Sequence, residues 1–255
     1  MTDIRRDGFL GGRLTLAQPA HGYRAGADAV MLAAACPAQS GQSVLELGCG
    51  AGVALICLGH RVAGLSLTGL ELQESYAVLA RDNAAASGLA ANIVTGDLTR
   101  MPTDLRAQSF DHVIANPPYF LGGTVAPDSG RGTARHEDAP LSQWIETGLR
   151  RLRPGGWLTV IHRAERLGVI LATLGGLAGE ITILPISARK GRDAGRVIVL
   201  SRKGARAPLR LLYPFIMHEK PSHLTDAEDL TPAAHAVLRD GAPLNLRDPQ
   251  FPMTM

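Results

Sequence analysis

The sequence predicts an α/β fold built on a mostly parallel sheet, and three observations predict it. Strand-like and helix-like segments alternate through residues 42–203. The first strong strand, within "QSVLELGCGAG" (42–52), stops abruptly at glycines. Acidic or amide residues then recur where later strands end, at Glu71, Asp97 and Asn116. In an open sheet wound this way, the carboxyl ends of the strands form the edge where ligands bind.

The bulk composition fits a packed globule. Hydrophobic residues make up 45% of the 255 and charged residues 19%, which is too apolar for a disordered chain. No apolar run approaches the roughly 18–20 residues needed to cross a bilayer. The opening "MTDIRRDGFLGGRL" lacks the apolar stretch of a secretory signal, so the expected location is the cytoplasm, with no membrane partner. Cys36, Cys49 and Cys57 are odd in number and have no CxxC spacing. They read as reduced thiols, neither a disulfide framework nor a zinc site, and no metal is expected.

The formal charge of +3 permits a polyanionic partner without requiring one. Lysine occurs only at positions 190, 203 and 220, so arginine carries most of the positive charge. Arginine binds phosphate bidentately and stacks on bases. A coding bias toward Ala, Gly and Arg explains the excess equally well.

Taken in order, residues 1–25 are mixed and broken by glycine, and residues 1–40 are read as an N-terminal extension packing on the core. "GADAVMLAAAC" (26–36) has the composition of a short helix. Strand, tight turn and helix start follow in 42–52, a buried strand in "LSLTGLEL" (65–72), and a helix in 73–88 that ends at Gly88 as a C-cap. Further strands are expected in "ANIVTGD" (91–97), "SFDHVIANPPY" (109–119) and, after an "RPGG" turn, "GGWLTVIHR" (155–163). Helices are expected around 141–152 and 164–174. "EITILPIS" (180–187) and "GRVIVLSRK" (195–203) have no helix-length segment between them, so they should pair antiparallel at one edge. The core thus runs over 41–204, and residues 205–255, with a short helix in "TPAAHAVLRDG", extend the same domain.

Gly48, Gly50 and Gly52 allow a tight turn and let a ligand lie against backbone amides at a helix N-terminus. A structural turn would look the same. However, a dinucleotide fingerprint would place glycine at 53, where this chain has Val53, which opposes a nicotinamide enzyme. Glu71 ends the second strand, where an acid can accept hydrogen bonds from both hydroxyls of a ribose; the plain alternative is a solvated strand-end charge.

"NPPY" at 116–119 ends a core strand on two residues without backbone N–H groups. An exocyclic amine or amide is a poor nucleophile because its lone pair is delocalised. A catalyst must hold both N–H groups so that the lone pair turns toward an electrophilic methyl. The Asn116 side-chain carbonyl and the Pro117 backbone carbonyl can be the two acceptors. Pro118 restricts Pro117, so the acceptors are rigid before substrate arrives. Tyr119 offers a stacking face, a contact worth about 1–3 kcal/mol per base in nucleic-acid complexes.

These residues resemble class I S-adenosylmethionine-dependent methyltransferases over residues 42–203, a Rossmann-like family with a seven-stranded, mostly parallel sheet, helices on both faces and an antiparallel closing strand. The resemblance implies S-adenosylmethionine as cofactor. It places Gly48 and Gly50 near the methionine end, with Glu46 orienting it. Glu71 and Leu72 would lie at the ribose, and Asp97 with Leu98 beside the adenine. Asp28 falls in a segment that closes over the cofactor, and Asn116 also borders it. With "DGFL", "GYRAGADAVMLAA", "NPPYF", "ARHED" (134–138) and "GRDAGRVIVLSRKG" (191–204), the chain looks like the bacterial family that methylates the 6-amino group of an adenine in valine tRNA.

That resemblance implies an N-methyltransferase with tRNA as partner, and a flipped adenine stacked on Tyr119. Arg5, Arg6, Arg13, Arg131, Arg135, Arg189, Lys190 and Arg192 become candidate phosphate contacts, although each can equally be a solvated charge. The motif is shared with guanine-2-amino enzymes of ribosomal RNA and glutamine-amide enzymes acting on release factors, which stay open as alternatives. A non-catalytic S-adenosylmethionine- or RNA-binding module is a different class, opposed by the intact motif. His136 is near the motif but reads as a surface residue, and no histidine has ligand spacing. The sequence leaves the oligomeric state open.

Overall fold

The computed structural model describes residues 3–119, 139–220 and 229–248. The "ARHED" segment with Arg131, Arg135 and His136 lies outside them, as does part of the C-terminal segment (221–228).

The expected core is present. Strand β3 (Ser43–Leu47) leads into α2 (Val53–Arg61). Then follow β4 (Ser66–Glu71), α3 (Glu74–Ala86), β5 (Ala91–Thr95), the single-turn α4 (Thr103–Arg106) and β6 (Phe110–Ala115). After them come α5 (Leu141–Arg151), β7 (Leu152–Arg163), α6 (Leu167–Leu174), β8 (Ala178–Arg189) and β9 (Ala194–Lys203). Helix α1 (Ala27–Ala35) precedes this core, and α7 (Pro232–Leu238) follows it.

Strands β5, β4, β3, β6 and β7 are neighbours in that order and pair in parallel, while β9 runs antiparallel to both β7 and β8. This is the expected seven-stranded arrangement with one antiparallel closing strand. It is extended past β8 by two short parallel strands, β10 (Arg210–Leu211) and β11 (Phe215–His218), which makes nine strands. The β8–β9 pair is therefore antiparallel as expected, but β8 is not the outer edge.

Alternation along the strands sorts the core into two layers. Val44 and Ile114 pack with α1, α2 and α3 on one face. Leu45, Leu47, Val113 and Ala115 pack with α5 and α6 on the other. The expected "RPGG" turn is instead part of β7. Phe110 pairs with Leu152 and His112 with Trp157, so the surplus residues bulge out of the β7 ladder. Gly156 is needed there, because a Cβ would stand 2.9 Å from the Asp111 carbonyl oxygen.

The N-terminal segment is more ordered than its glycines predict. Strands β1 (Ile4–Phe9) and β2 (Leu14–Pro19) form a separate antiparallel hairpin, with the glycines at its turn. Asn83 on α3 fastens it. Its Oδ1 accepts the Ala17 N–H at 2.7 Å, and its Nδ2 donates to the carbonyls of Ala17 at 2.8 Å and Ala51 at 2.9 Å. One buried amide thus joins the hairpin, α3 and the turn after β3. Loss of these partners leaves buried backbone groups unsatisfied, so Asn83→Ala should lower unfolding free energy by about 2–4 kcal/mol in urea titrations. A loss below about 0.5 kcal/mol, the range of an ordinary surface substitution, would show that the hairpin is not held this way.

Candidate active site

The site begins with strand register. Leu47 on β3 stands opposite Leu70 on β4 and opposite Ala115 on β6. The next residues, Gly48, Glu71 and Asn116, therefore emerge side by side at one sheet edge. The order β6-β3-β4 makes this the point where successive crossovers leave to opposite sides, which opens a crevice.

The glycine turn is held from both sides. Gly48 has φ of +64°, and a Cβ on it would lie 2.5 Å from the Trp144 ring, so glycine is required twice over. The Cys49 N–H donates to the Leu70 carbonyl at 3.0 Å. The buried Glu71 carboxylate accepts the Gly50 N–H at 2.8 Å through Oε2 and the Gln73 N–H at 2.9 Å through Oε1. Each oxygen keeps a second lone pair, so the acid that fixes the turn can still accept from a ribose.

A small, partly open cleft lies over this turn. Glu46, Gly48 and Asn116 line it, together with Gln18, Tyr23 and Tyr76. Glu46 is 3% exposed, and its Oε2 accepts the Leu55 N–H at 3.0 Å. Burial raises its pKa well above the usual carboxylate range, and the nearby Glu71 charge raises it further. The Tyr23 ring lies at the mouth. Its hydroxyl accepts from Asn116 Nδ2 at 3.2 Å, and its carbonyl accepts from the Tyr76 hydroxyl at 3.0 Å. Burial, followed by the Glu46 and Asp28 charges, pushes the Tyr23 hydroxyl up to about 12, so it stays neutral.

The motif residues lie at the end of β6. Asn116 Oδ1 lies 3.1 Å from the Tyr119 hydroxyl oxygen and has lone pairs to offer. Pro117 is buried and Pro118 exposed. A hydrogen bond joins the Pro118 backbone, whose carbonyl is its sole polar group there, to His162. The Tyr119 ring meets His162 edge-on, with centroids 5.0 Å apart. The Arg196 guanidinium sits 4.7 Å over it. The Tyr119 hydroxyl donates its one proton to Asp28 Oδ2 at 2.5 Å, and Arg196 Nε donates to the same oxygen at 3.0 Å.

The remaining expected positions lie outside this cleft. Asp97 caps a short turn by accepting the Thr99 N–H at 2.7 Å, with Leu98 partly buried beside it. Leu72 is 44% exposed. Asp28 is directed at Tyr119, not at the cleft. Sequence reasoning missed Tyr23, Tyr76, His162 and Arg196. Tyr23 and Arg196 stand in the stretches "GYRAGADAV" and "AGRVIVL", but nothing in the sequence says that these stretches meet the motif.

Residues 25–174 match the profile of the methyltransferase small domain, which covers more than half of the chain. The chain belongs to this family. The cofactor that the sequence resemblance implies for a methyltransferase of this family is S-adenosylmethionine. The chain is 30% identical over 190 residues to the tRNA1(Val) (adenine(37)-N6)-methyltransferase of Tolumonas auensis, covering 71% of this chain and 78% of that protein. It is 35% identical over 164 residues to the protein of the same name from Porphyromonas gingivalis, covering 61% and 64%. The match thus spans just under two thirds of the Porphyromonas relative's length. Among solved structures, an Agrobacterium tumefaciens protein described as a predicted O-methyltransferase superposes with a TM-score of 0.68 and 30% identity, covering 85% of this chain and 97% of that one.

The residues present fit the cofactor. It carries a sulfonium and an ammonium, and the cleft offers the buried Glu46 carboxylate beside a side-chain-free glycine turn. A cationic ligand favours the ionised form of Glu46, so binding should release protons and tighten as pH rises through the raised pKa. In the free protein the sign is opposite. Folding favours protonated Glu46, so this group lowers stability as pH rises above the unfolded carboxylate pKa. Glu46→Gln should therefore be more stable than the parent at pH 8 by urea unfolding. By calorimetry it should bind S-adenosylmethionine about tenfold or more weakly, having lost a charge-assisted contact.

Proposed function

We propose that the chain transfers a methyl group from S-adenosylmethionine to the 6-amino group of an adenine in tRNA. The observation that carries this reading is the position of Asn116 to Tyr119. The motif follows β6, in register with the glycine turn of β3, and Asn116 borders the cleft. S-adenosylmethionine supplies an electrophilic methyl group on a sulfonium. Asn116 Oδ1 and the Pro117 carbonyl hold the two amine hydrogens, and the proline-fixed backbone lowers the cost of orienting them. Tyr119 provides the plate. A base with tuned pKa is not needed, because an alkylated amine loses its extra proton readily.

On the cofactor side, Glu46, Gly48 and Gly50 serve the methionine end, Glu71 and Leu72 the ribose, and Asp97 with Leu98 the adenine. Residues 1–40 and 205–255 act as extensions of one domain around core 41–204. The names of the Tolumonas and Porphyromonas relatives support adenine in valine tRNA over a guanine or a protein amide.

An RNA partner also fits the charge placement. Exposed Lys190 and Arg192 lie at the β8–β9 turn, beside the Arg163–Arg196 pairing and so at the same edge as the motif. Arg6 is exposed as well. By contrast Arg5, Arg13 and Arg189 are engaged by Asp7, Asp240 and Asp229. Among the described residues no helix is long and apolar enough to cross a membrane. A tRNA substrate places the chain in the cytoplasm.

Asn116→Ala should reduce methyl transfer to tRNA by about a hundredfold or more, while S-adenosylmethionine affinity stays within a few-fold. Digestion of the labelled RNA to nucleosides should yield N6-methyladenosine. Undiminished transfer by Asn116→Ala, or label in methylguanine or methylglutamine, would contradict the assignment.

A further inference from the structure

Asp28 stands in the first turn of α1, yet its carboxylate does not line the cleft, although Ala25 and Ala29 on either side of it do. Its Oδ2 is taken twice, by the Tyr119 hydroxyl at 2.5 Å and by Arg196 Nε at 3.0 Å. The Arg196 guanidinium covers one face of the Tyr119 ring, and His162 meets the ring in a T-shaped contact. The motif tyrosine is thus held at its hydroxyl and at its ring by residues from α1, β9 and β7. None of these is near the motif in sequence.

We propose that Asp28 is a positioning residue for Tyr119: together with Arg196 it fixes the ring so that its opposite face receives the substrate's flat group, and it does not contact the cofactor. This rests on the reading of Asn116 to Tyr119 as the substrate clamp.

The chemistry supports a rigid plate. A phenol donating to a carboxylate forms one of the stronger hydrogen bonds a neutral side chain can make, because the acceptor is charged. Burial and the adjacent Asp28 raise the pKa of Tyr119, so the hydroxyl keeps its proton and stays a donor through the physiological range. Arg196 neutralises the carboxylate without competing for that proton, because a guanidinium only donates. It also occupies the ring face it covers through a cation–π contact, so a base can stack only on the other side. The same Tyr119 hydroxyl touches Asn116 Oδ1, so a ring set by Asp28 also limits where the Asn116 acceptor points.

The test uses the full chain with Asp28→Ala, Asp28→Asn, Tyr119→Phe and the Asp28→Ala/Tyr119→Phe double variant. S-adenosylmethionine affinity is read by calorimetry, methyl transfer to a valine tRNA transcript at saturating cofactor, and stability by urea unfolding. Asp28→Ala should leave cofactor affinity within about twofold and lower kcat about tenfold, as for a misplaced reacting group. Asp28→Asn, which keeps a neutral acceptor, should fall between it and the parent. Tyr119→Phe keeps the ring but loses the tie, so the double variant should be no slower than Tyr119→Phe alone. The stability losses should likewise be non-additive.

A tenfold loss of cofactor affinity in Asp28→Ala, or additive losses in the double variant, would overturn the proposal. A parent protein that binds S-adenosylmethionine but transfers no methyl to RNA would count against the substrate reading alone. The affinity and urea measurements would still decide the role of Asp28.

Discussion

Leu47 opposite both Leu70 and Ala115 is the constraint on which the site depends. Parallel pairing makes three strands end at the same level, so the residues just beyond them must share one edge. Those positions hold a glycine turn after β3, a carboxylate on the last residue of β4 and an amide with two prolines after β6. A slip of one residue in β6 would turn Val113 and Ala115 from one layer toward the other. It would also carry Asn116 away from Gly48. The two apolar layers on either side of the sheet therefore hold the register of the chemistry as well as the fold.

Around that edge, polar groups are tied to one another before any ligand arrives. Glu71 holds the glycine turn by the Gly50 N–H and its own loop by the Gln73 N–H, Asn83 ties the N-terminal hairpin to the same turn, and Tyr23 reaches the motif through Asn116. Trp144 approaches Gly48 from the opposite layer so closely that no larger residue fits. Glu46 is the exception. It is buried with one backbone donor and a raised pKa, an arrangement that destabilises the free protein and suits a cationic ligand. Strain of this kind at one position, amid satisfied neighbours, is the expected mark of a binding site.

Much of this was legible in the sequence because local signals suffice for it. Strand, glycine and helix follow from apolar runs and breakers, so β3 to β6, α3 and the closing β8–β9 pair were readable. The order in which strands end determined that Gly48, Glu71 and Asn116 would meet. Other features depend on distant residues. The β1–β2 hairpin is held by Asn83, which reads as an ordinary helix residue in "LARDNAAA". The "RPGG" stretch reads as a turn, yet pairing with β6 carries β7 through it as a bulge. Asp28 reads as part of a segment closing on the cofactor, but a tyrosine 91 positions later and an arginine 168 positions later engage its carboxylate. Separations of that size have no local signature.

On the proposed reading, fixed oxygens at the end of β6 hold a planar amine. Methyl transfer from labelled S-adenosylmethionine to two anticodon stem-loops of valine tRNA is the decisive experiment. One carries adenine at the target position, and the other carries purine, which has hydrogen in place of the 6-amino group. Label should appear on N6 of the adenine RNA and not on the purine RNA. Equal labelling of both, on a ring nitrogen or a ribose hydroxyl, would contradict that reading.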